Sequence, residues 1–326
     1  MENAADTAET PKVWALLDQN AGHRNQVLGV TDALGWPVET RDLRYNWQAE
    51  LPNGLLGASL RGLASDARAA IVPPWPDLIV AAGRKTAPVA RAIRRLSGGR
   101  TRLVQLMDPG SGTDDFALIA IPTHDDIGAA VERRGNVLRT LGAPHRMAPE
   151  CLAAARQAWQ TELGDLEQPR IAVFVGGGTR RRAFTQAMAD ELAVALAARK
   201  AETGGSLMIT TSRRSGAVAE TLLSAGDHVY RWGDKGDNPY IGYLAWADRI
   251  VVTGDSVSMV SDACASGVPV EVFAPAGLIT EKHARFHRAL YDAGYAVPFG
   301  TSETEPPKHR LDVAGEVAVA IRRLFD

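Results

Sequence analysis

Three polar loops in the second half of the chain carry the residues best suited to bind a phosphate group. Each follows a short apolar run, at residues 171–175, 207–211 and 250–252. Glycine lets backbone approach a ligand, arginine neutralises phosphate charge, and serine at a helix start adds a hydroxyl to free amides. The candidate anion-binding residues are Gly177, Gly178, Thr179, Arg180, Ser212, Arg213, Arg214, Asp255, Ser256, Val257, Ser258 and Met259.

The spacing within these loops excludes two common nucleotide-binding motifs. Residues 176–182, Gly-Gly-Gly-Thr-Arg-Arg-Arg, contain no Walker lysine pattern and no complete Gly-x-Gly-x-x-Gly, so neither a P-loop nor a dinucleotide fingerprint is supported. A simpler interpretation of the third loop is a capped helix without a ligand, since serine and aspartate are preferred caps. Because three such loops follow strands in the same half of the chain, we favour the interpretation that they bind one nucleotide phosphate together.

The elements that position these loops have the pattern of parallel βαβ units. Residues 250–252 predict a strand, residues 257–265 a helix that Gly267 ends, and residues 268–273 the next strand. In such units ligands bind outside the carboxyl ends of the strands. The polar loops lie at those ends.

The first half of the chain has the same organisation. Its predicted strands are residues 13–17, 77–82, 101–106 and 118–121, with a short last one at 136–138. Polar residues follow the first four, as a doubly wound domain with a ligand crevice requires. The Arg84–Lys85 pair fits an anionic acceptor, although a solvated basic pair is the simpler interpretation. The candidate residues at these ends are Asp18, Gly22, His23, Asn25, Gln26, Gly83, Arg84, Lys85, Asp108, His124 and Asp125.

Length and loop signals predict two α/β domains of ordinary size. Residues 36–68 give only a weak pattern, and residues 148–163 predict a helix with a small-residue face. The predicted division is a disordered tail at 1–11, an N-terminal domain at 12–147, a linker helix and boundary at 148–169, a C-terminal domain at 170–310, and a final helix at 311–326 that could pack back on the first domain.

Composition narrows the class of protein. Apolar residues make up 45% of the 326 residues and charged residues 23%, which is typical of a globular protein. The formal net charge of −2 gives no general attraction to nucleic acid. Two cysteines, Cys151 and Cys264, without metal-ligand spacing favour a reduced, cytoplasmic chain. No apolar run is long enough to span a bilayer, and the acidic start lacks the features of a signal peptide.

Residues 247–269 resemble the donor-binding motif of GT-B glycosyltransferases. In that motif a strand leads to a Gly/Ser loop and then to a Glu-Ala…Gly-x-Pro helix; here the helix carries Asp262-Ala263 and Gly267-Val268-Pro269. The resemblance implies that the loop holds a nucleotide-sugar diphosphate and that Asp262 binds the ribose hydroxyls. Asp262 stands where the motif usually has glutamate. Because aspartate is shorter, the expected contact with the ribose is the feature of the motif that this substitution affects.

A second resemblance covers most of the chain. The segment from Asp18 through Gly22-His23-x-Asn25-Gln26 to Gly29 resembles the start of a bacterial and plant family named after a plant protein required for mitochondrial fission. Its bacterial members are described as glycosyltransferases. Further matching segments are Gly83-Arg84-Lys85, Asp108-Pro109, Pro122-Thr123-His124-Asp125, Thr211-Ser212-Arg213-Arg214, Asn238-Pro239-Tyr240 and residues 253–259.

These resemblances imply a GT-B-like α/β fold, with two Rossmann-like doubly wound domains facing a central cleft. The implied function is sugar transfer from a nucleotide-diphosphate donor, held by the second half, to an unknown acceptor held by the first, with a lipid-linked or cell-envelope glycan as one acceptor class. No cofactor is expected beyond the nucleotide-sugar substrate. Two alternatives remain open: a nucleotide-sugar epimerase or hydrolase of the same fold, and a non-catalytic adaptor at the inner face of a membrane.

The candidates for the catalytic base lie in the first half of the chain. Sugar transfer needs a base for the acceptor hydroxyl, and histidine titrates near neutral pH, so His23 is the first candidate. Asp125 is the reserve, together with His124. The sequence contains no Asp-x-Asp triplet, so we expect no metal-bridged diphosphate. His283 and His287 are four residues apart on a predicted helix, but no third ligand is evident, and a surface or crevice-lining role is the simpler interpretation.

Overall fold

A computed structural model describes residues 10–179, 182–301 and 305–326. Within these ranges the chain forms two compact units. Unit 1 contains residues up to 122, residues 126–140 and residues 313–326. Unit 2 contains residues 123–125 and 141–312. None of the helices in the described ranges has the length and apolar character needed to cross a bilayer.

Unit 1 alternates strands and helices from its start. Its strands are β1 (Val13–Leu17), β2 (Val38–Asp42), β3 (Leu78–Ala82), β4 (Arg102–Leu106), β5 (Leu118–Pro122) and β6 (Val137–Thr140). Its helices are α1 (Ala21–Leu34), α2 (Asn53–Leu56), α3 (Ser65–Ala69), α4 (Ala87–Leu96) and α5 (Ala129–Glu132), with one more helix at the C-terminus.

The six strands of unit 1 form one parallel sheet in the order β2-β1-β3-β4-β5-β6. Val13, Ala15 and Leu17 of β1 pack with α1 on one face, whereas Trp14 and Leu16 pack with α4 on the other. This alternation is what a strand covered on both faces requires. The strand order reverses between β1 and β3, so a crevice forms at their carboxyl ends.

Unit 2 repeats the architecture with different insertions. Its helices are α6 (Pro149–Ala158), α7 (Gln160–Leu163), α8 (Gln186–Thr203), α9 (Glu220–Leu223), α10 (Tyr240–Trp246), α11 (Val257–Cys264) and α12 (Glu281–Asp292). Its strands are β7 (Arg170–Val175), β8 (Gly178–Thr179), β9 (Arg182–Ala183), β10 (Ser206–Thr211), β11 (His228–Tyr230), β12 (Arg249–Thr253), β13 (Val270–Phe273) and β14 (Val297–Pro298).

The main sheet of unit 2 is also parallel, in the order β11-β10-β7-β12-β13-β14. The chain adds strands on one side of β7 and then crosses to β12 on the other. The switch point therefore lies between β7 and β12. The last helix, α13 (Val313–Arg322), belongs to unit 1, where Val317, Ala318 and Ile321 join the core that α1 covers.

Several elements differ from the sequence prediction. Strand β2 lies in the region with a weak pattern, because this edge strand has only partly buried or exposed residues and no apolar run. The predicted helix at 148–163 is interrupted at Trp159. It packs within unit 2, where the indole of Trp246 donates to the Arg156 carbonyl. The predicted tail at residues 1–11 lies almost wholly outside the described residues.

A buried carboxylate connects three elements of unit 2. The side chain of Glu271 in β13 is fully buried and accepts two hydrogen bonds from Arg199 of α8, at 2.6 and 2.9 Å. Arg249 of β12 donates a third at 3.0 Å, and the Gly300 amide a fourth at 3.1 Å. Charge-assisted pairs of this kind offset the cost of burying the charge only while they are complete.

Replacement of Glu271 by alanine should therefore destabilise unit 2 by about 3–5 kcal/mol, because it leaves guanidinium groups without their buried partner. Urea denaturation followed by tryptophan fluorescence measures this change. Glu220→Ala is the matched control, since Glu220 pairs with Arg231 at the surface and its loss should not move the transition. Equal midpoints for the two variants would contradict the assignment.

Candidate functional site

The three predicted phosphate loops of unit 2 meet at the switch point of its sheet. Residues 176–179 follow β7, residues 212–215 follow β10, and residues 253–258 run from the last residue of β12 into the first turn of α11; we refer to them together as the loop cluster. Strand β7 lies between β10 and β12, so all three loops leave the same edge at neighbouring positions. Arg180 lies outside the described residues.

The carboxylate of Asp255 holds the loop cluster together. Its Oδ1 accepts a hydrogen bond of 2.7 Å from the Thr253 hydroxyl, and its Oδ2 accepts one of 2.8 Å from the Gly178 amide. The same Oδ2 lies 3.2 Å from Nη2 of Arg214, whose Nη1 donates to the Gly178 carbonyl at 2.7 Å. Asp255 is 3% exposed. The anion at the centre of the loops is thus a side chain of the protein.

The glycines of the first loop make this close packing possible. A Cβ on Gly176 would come within 2.4 Å of the Asp255 carboxylate, and one on Gly177 within 2.3 Å of the backbone of Arg214 and Ser215. Gly177 and Gly178 also have φ angles of +103° and +85°, which residues with a side chain rarely adopt. The sequence analysis expected these glycines to admit a ligand; in the structure, neighbouring protein atoms fill the space that a Cβ would take.

The second loop is fixed by its serines. The Ser215 hydroxyl donates to the Val175 carbonyl at 2.8 Å and accepts from the Ser212 amide at the same distance. The Ser212 hydroxyl donates to the Gly176 carbonyl. Arg213 is exposed and forms no ion pair with any residue that the structure describes. Its guanidinium is available to an anion, whereas that of Arg214 is paired with Asp255.

The third loop ends in the first turn of α11. The Ser256 hydroxyl caps this helix by accepting from the Met259 amide at 3.4 Å. The amides of Val257 and Ser258 stand at the head of the helix and have no acceptor within it. All four residues from Ser256 to Met259 are partly exposed. The positive end of the helix dipole and these amides favour an anion at this position.

Asp262 lies one turn further along α11 and pairs with a tyrosine. The hydroxyl of Tyr240 donates to Oδ2 of Asp262 at 2.9 Å, and the Tyr240 ring packs edge-on against Phe174 at 4.9 Å. Burial raises the pKa of Asp262 to about 7, although the hydrogen bond from Tyr240 works in the opposite direction. Burial and the Asp262 charge raise the pKa of Tyr240 well above its usual value, so the tyrosine is the donor.

His124 and Asp125 lie beside α12 in unit 2. Lys282 pairs with the Asp125 carboxylate, and Arg285 donates to the His124 carbonyl at 3.1 Å. The His124 ring packs against Phe286 with 4.8 Å between ring centres. Burial lowers the pKa of His124 to about 4, against the opposing influence of Asp125. The His124 ring is therefore neutral, and the Asp125 carboxylate is paired with Lys282.

His283 joins this region through the cap of α12. The Thr280 amide donates to Nδ1 of His283 at 3.3 Å, so the neutral ring carries its proton on Nε2. Burial lowers the pKa of His283, and the charge of nearby Asp255 works against this shift. His283 is thus a potential hydrogen-bond donor near the loop cluster. Among the described residues, no group of three or more His, Cys, Asp or Glu side chains is placed to hold a metal ion.

In unit 1 the structure brings Asp18, His23 and Gly83 together at the switch point. Nδ1 of His23 lies 2.7 Å from Oδ2 of Asp18, which is largely buried. A Cβ on Gly83 would lie 2.5 Å from Cε1 of the His23 ring, so the ring packs directly on this glycine. Asn20 caps α1 by accepting from the Gly22 amide at 2.9 Å, which fixes the position of His23 in the first turn.

Arg84 and Lys85 are engaged within unit 1. Arg84 donates to the Leu51 carbonyl at 2.8 Å and to Oδ1 of Asn53 at 3.1 Å, while Lys85 pairs with Glu50. These bonds fasten the segment after β2 to the carboxyl edge of the sheet. Arg84 and Lys85 are thus bound to protein groups and do not form the solvated basic pair that was the simpler interpretation of the sequence.

The remaining predicted residues of unit 1 do not form one group. Asp108 is exposed and accepts from the Gly110 amide at 2.8 Å, which closes a tight turn after β4. Asn25 is exposed, whereas Gln26 is 7% exposed and faces the core side of α1. Only the Asp18–His23 pair has the geometry of an oriented base.

Sequence reasoning missed several polar residues of these two sites. Tyr45 has a buried hydroxyl with no hydrogen-bond partner among the described residues, and its pKa is raised by burial and by the Asp18 charge. Asn53 is buried and donates to the carbonyls of Arg84 and Pro109 at 2.7 and 2.6 Å. Both lie in the stretch with a weak pattern. Tyr240 had a local signal, since it follows Asn238-Pro239 in a segment that the sequence analysis matched to the family.

Comparison with known proteins identifies the family. The family model described as Mitochondrial fission ELM1 matches residues 21–325. The chain belongs to the mitochondrial fission ELM1 family. Mitochondrial fission protein ELM1 of Arabidopsis thaliana is 31% identical over 297 residues, which cover 82% of this chain and 68% of the plant protein. The predicted family membership is confirmed.

The fold of this ELM1-family chain is similar to solved epimerase structures. UDP-GlcNAc 2-epimerase of Methanocaldococcus jannaschii, in complex with UDP-GlcNAc and UDP, matches with a TM-score of 0.55 and 11% identity, covering 96% of this chain and 99% of that one. UDP-GlcNAc 2-epimerase of Neisseria meningitidis, bound to UDP-GlcNAc, matches with a TM-score of 0.51 and 12% identity over the same shares. The predicted GT-B-like α/β fold is confirmed, and the structure shows that each unit contains one parallel six-stranded sheet.

The packing of Gly177 leads to a stability prediction. Gly177→Ala should cost about 1–3 kcal/mol more than Gly236→Ala, because the new methyl group overlaps the backbone of the second loop. Gly236 is the matched control: its φ of +96° is close to the +103° of Gly177, but nothing lies within 4 Å of its Cβ position. Chemical denaturation of both variants gives the difference. Equal costs would show that the first two loops are not packed together as described.

The raised pKa of Asp262 predicts how stability depends on pH. The folded state holds the Asp262 proton more tightly than the unfolded state, so this group's contribution to stability is present below about pH 4 and is lost as the pH rises to about 7. The unfolding free energy of the wild type minus that of Asp262→Asn should fall with pH by at most about 1.4 kcal/mol per unit in this window. Tyr240→Phe should move the upper end of the window to higher pH. A difference that is flat from pH 4 to 7 would exclude a raised pKa.

Proposed function

We propose that unit 2 binds a nucleotide-diphosphate sugar at its loop cluster, and that the chain transfers the sugar to an acceptor without a bridging metal ion. One observation carries this proposal. The head of α11 and Arg213 lie on loops at the carboxyl edge of one parallel sheet, Asp262 lies one turn further along α11, and Arg213 forms no ion pair with a residue that the structure describes. This is the position at which parallel α/β units bind ligands.

The spacing along α11 fits two parts of one nucleotide. Ser258 and Asp262 are four residues apart, so they share a face of the helix and are separated by about 6 Å along its axis. A diphosphate at the amides of Val257 and Ser258 would leave the ribose one helical turn away, beside Asp262. The shorter side chain of Asp262, relative to glutamate, requires the ribose to sit close to the helix.

The charges near this position suit a leaving diphosphate. The helix end contributes roughly half a positive charge, and Arg213 adds a full one. Arg214 contributes less, because its charge is balanced by Asp255 at 3.2 Å. Amides and dipoles fixed before the reaction stabilise developing negative charge without reorganisation. The diphosphate would thus be held mainly by backbone amides and Arg213, with no cofactor.

The related structures suggest the first nucleotide to test. The two epimerases named above contain UDP-GlcNAc, and one of them also contains UDP. We therefore take UDP and UDP-GlcNAc as the initial probes. The acceptor class in this proposal is a lipid-linked or cell-envelope glycan at the inner face of a membrane.

The general base in this proposal is His23. Asp18 at 2.7 Å from Nδ1 holds the ring in the tautomer that leaves Nε2 free to accept a proton. Asp125 is less suited, because its carboxylate is paired with Lys282. A base oriented by a buried carboxylate is a recurring arrangement in catalytic sites.

Two other functions remain as outcomes of the tests. An epimerase or hydrolase would convert UDP-GlcNAc without an acceptor, and the epimerase structures named above favour this option among the alternatives. An adaptor at a membrane surface would bind vesicles and convert no nucleotide sugar. An adaptor would need apolar side chains that can contact the membrane. Trp47 and Leu55 of unit 1 are 75% and 76% exposed and are the candidates for this contact. Product analysis with and without added glycan acceptors separates the three.

Replacement of Arg213 by alanine should weaken UDP binding about 10- to 100-fold, since a hydrogen bond to a charged group contributes about 1.5–3 kcal/mol. Isothermal titration calorimetry gives the dissociation constants. Lys200→Ala is the control, because Lys200 pairs with Asp227 at the end of α8 on the opposite edge of the sheet. Unchanged UDP affinity in Arg213→Ala, or no UDP binding by the wild type, would count against the proposed site.

His23→Ala should lower turnover of the nucleotide sugar by about 10²- to 10⁴-fold while leaving UDP affinity unchanged, because a general base acts on the acceptor and not on the donor. Asp32→Asn, an exposed position further along α1, is the control and should keep full activity. Turnover and UDP affinity are measured on the same preparations. Full activity of His23→Ala would remove His23 from the role.

A further inference from the structure

A groove of about 530 Å³ lies at the amino edge of the sheet in unit 1, at the opposite edge from the Asp18–His23 pair. It is lined mainly by residues at or just before the starts of β1, β3 and β4, which are neighbours in the sheet. The register of these strands places Lys12, Asp77 and Arg102 beside one another. None of the lining residues belongs to the sites described above.

Three cationic side chains line this groove, those of Lys12, Arg100 and Arg102. None of them forms an ion pair with a residue that the structure describes. The carboxylate in the lining is that of Asp77, which accepts a hydrogen bond of 2.8 Å from the backbone amide of Lys12. Taken together, the charged side chains of the groove leave two positive charges unbalanced. An exposed concentration of charge of one sign attracts ligands of the other.

Hydrogen bonds of the surrounding backbone fix the positions of these residues. The carbonyl of Lys12 accepts from the Asp77 amide at 2.9 Å, and the Asp77 carbonyl accepts from the Arg102 amide at the same distance. Thr101, between the two arginines, is buried, and its hydroxyl donates to the Pro76 carbonyl at 2.8 Å. The backbone that carries the cations is therefore in place before a ligand binds, which reduces the entropic cost of binding.

Both arginines keep N–H groups for an anion. The guanidinium carbon of Arg102 lies 4.2 Å from the centre of the Phe325 ring, and its N–H groups have no acceptor among the described residues. Nε of Arg100 donates to the Ser97 carbonyl at 3.1 Å, which orients the guanidinium and leaves its two Nη groups. Arginine binds phosphate oxygens through pairs of such N–H groups.

We propose that this groove binds a phosphate monoester. The phosphate oxygens accept from Arg100 and Arg102, and the ammonium group of Lys12 adds a third positive charge. A phosphate monoester carries nearly two negative charges at neutral pH and so matches the unbalanced charge, whereas a carboxylate would balance only half of it. The organic part of the ester packs against Trp75, whose ring is held by an edge contact with Trp14 at 6.0 Å between ring centres.

Calorimetry with phenyl phosphate on the full chain tests this charge match, with benzoate as a planar anion of single charge. We expect saturable binding of phenyl phosphate and about 10-fold weaker binding of benzoate. Affinity for phenyl phosphate should fall between about pH 7.5 and about pH 5, because the ester takes up a proton with a pKa of about 6 while lysine and arginine stay charged. Equal affinity for the two anions, or an affinity that is constant over this pH range, would overturn the proposal.

Charge variants locate the site by changes of opposite sign. Arg100→Gln and Arg102→Gln should each weaken phenyl phosphate binding about 10-fold or more, whereas Asp77→Asn should strengthen it about 3- to 10-fold because a repelling charge is removed. Arg44→Gln is the matched control: it removes the same charge from an exposed residue of unit 1 that pairs with Asp66, and it should bind like the wild type. Stronger binding cannot result from a folding defect. Unchanged affinity in both groove arginine variants, or weaker binding by Asp77→Asn, would refute the site.

One further variant separates this site from the proposed nucleotide site in unit 2. Arg213→Ala should leave phenyl phosphate affinity unchanged, and Arg102→Gln should leave UDP affinity unchanged. Each proposal can then fail without the other. Loss of phenyl phosphate binding in Arg213→Ala alone would place this ligand at the loop cluster and contradict the assignment to unit 1.

Vesicle binding distinguishes two sources of the phosphate monoester, a free small molecule and the headgroup of phosphatidic acid. Co-sedimentation with phosphatidylcholine vesicles that contain phosphatidic acid, if phenyl phosphate competes with it and Arg102→Gln weakens it, assigns the site to the lipid headgroup. Binding of phenyl phosphate without co-sedimentation assigns the site to a free ester. Absence of binding in both assays would overturn the proposal.

Discussion

The buried carboxylate of Asp255 is the interaction on which the site in unit 2 depends. Loops that follow neighbouring strands have no ladder hydrogen bonds between them, so some other contact must fix their positions. Asp255 provides it by accepting from Thr253, Gly178 and Arg214 at once. Burial of a carboxylate is unfavourable unless its lone pairs are satisfied, and here charged and backbone donors satisfy them. The glycines at 176 and 177 follow from this arrangement, because a Cβ there would overlap the Asp255 carboxylate or the backbone of Arg214 and Ser215.

This arrangement changes what the loop cluster can offer to a ligand. The basic residues of the loop cluster suggest a strongly positive carboxyl edge of the sheet. Of its two described arginines, Arg213 and Arg214, however, Arg214 is neutralised by Asp255. What remains is one exposed guanidinium and the head of α11. Such a position recognises an anion mainly through fixed amides, which supply direction and little net charge.

The parallel strands and their polar ends could be predicted from the sequence, because each buried strand is a short apolar run and the loops after β1, β3, β7, β10 and β12 begin with glycine, serine or aspartate. The edge strand β2 could not, since half-exposed strands such as Val38–Asp42 lack that signal. The hydrogen-bond partners of the site residues could not be predicted from the sequence either. The Gly178–Asp255 bond joins residues 77 positions apart, and nothing near either residue indicates the other. The three glycines were recognised as a site of close approach, but only the structure shows that the approaching group is protein.

The pairing of Asp262 with Tyr240 couples the proposed ribose contact to protons. Ribose hydroxyls donate to a carboxylate, so they favour its ionised form, whereas burial favours the protonated form and raises the pKa to about 7. A bound ribose would therefore lower this pKa, and binding near neutral pH would release a proton. Tyr240 already donates to Oδ2, which leaves Oδ1 as the acceptor for the ligand. A glutamate at this position would reach further from the helix. With the shorter aspartate, Tyr240 fixes the carboxylate, and a ribose of the proposed ligand would have to come close to α11 to reach it.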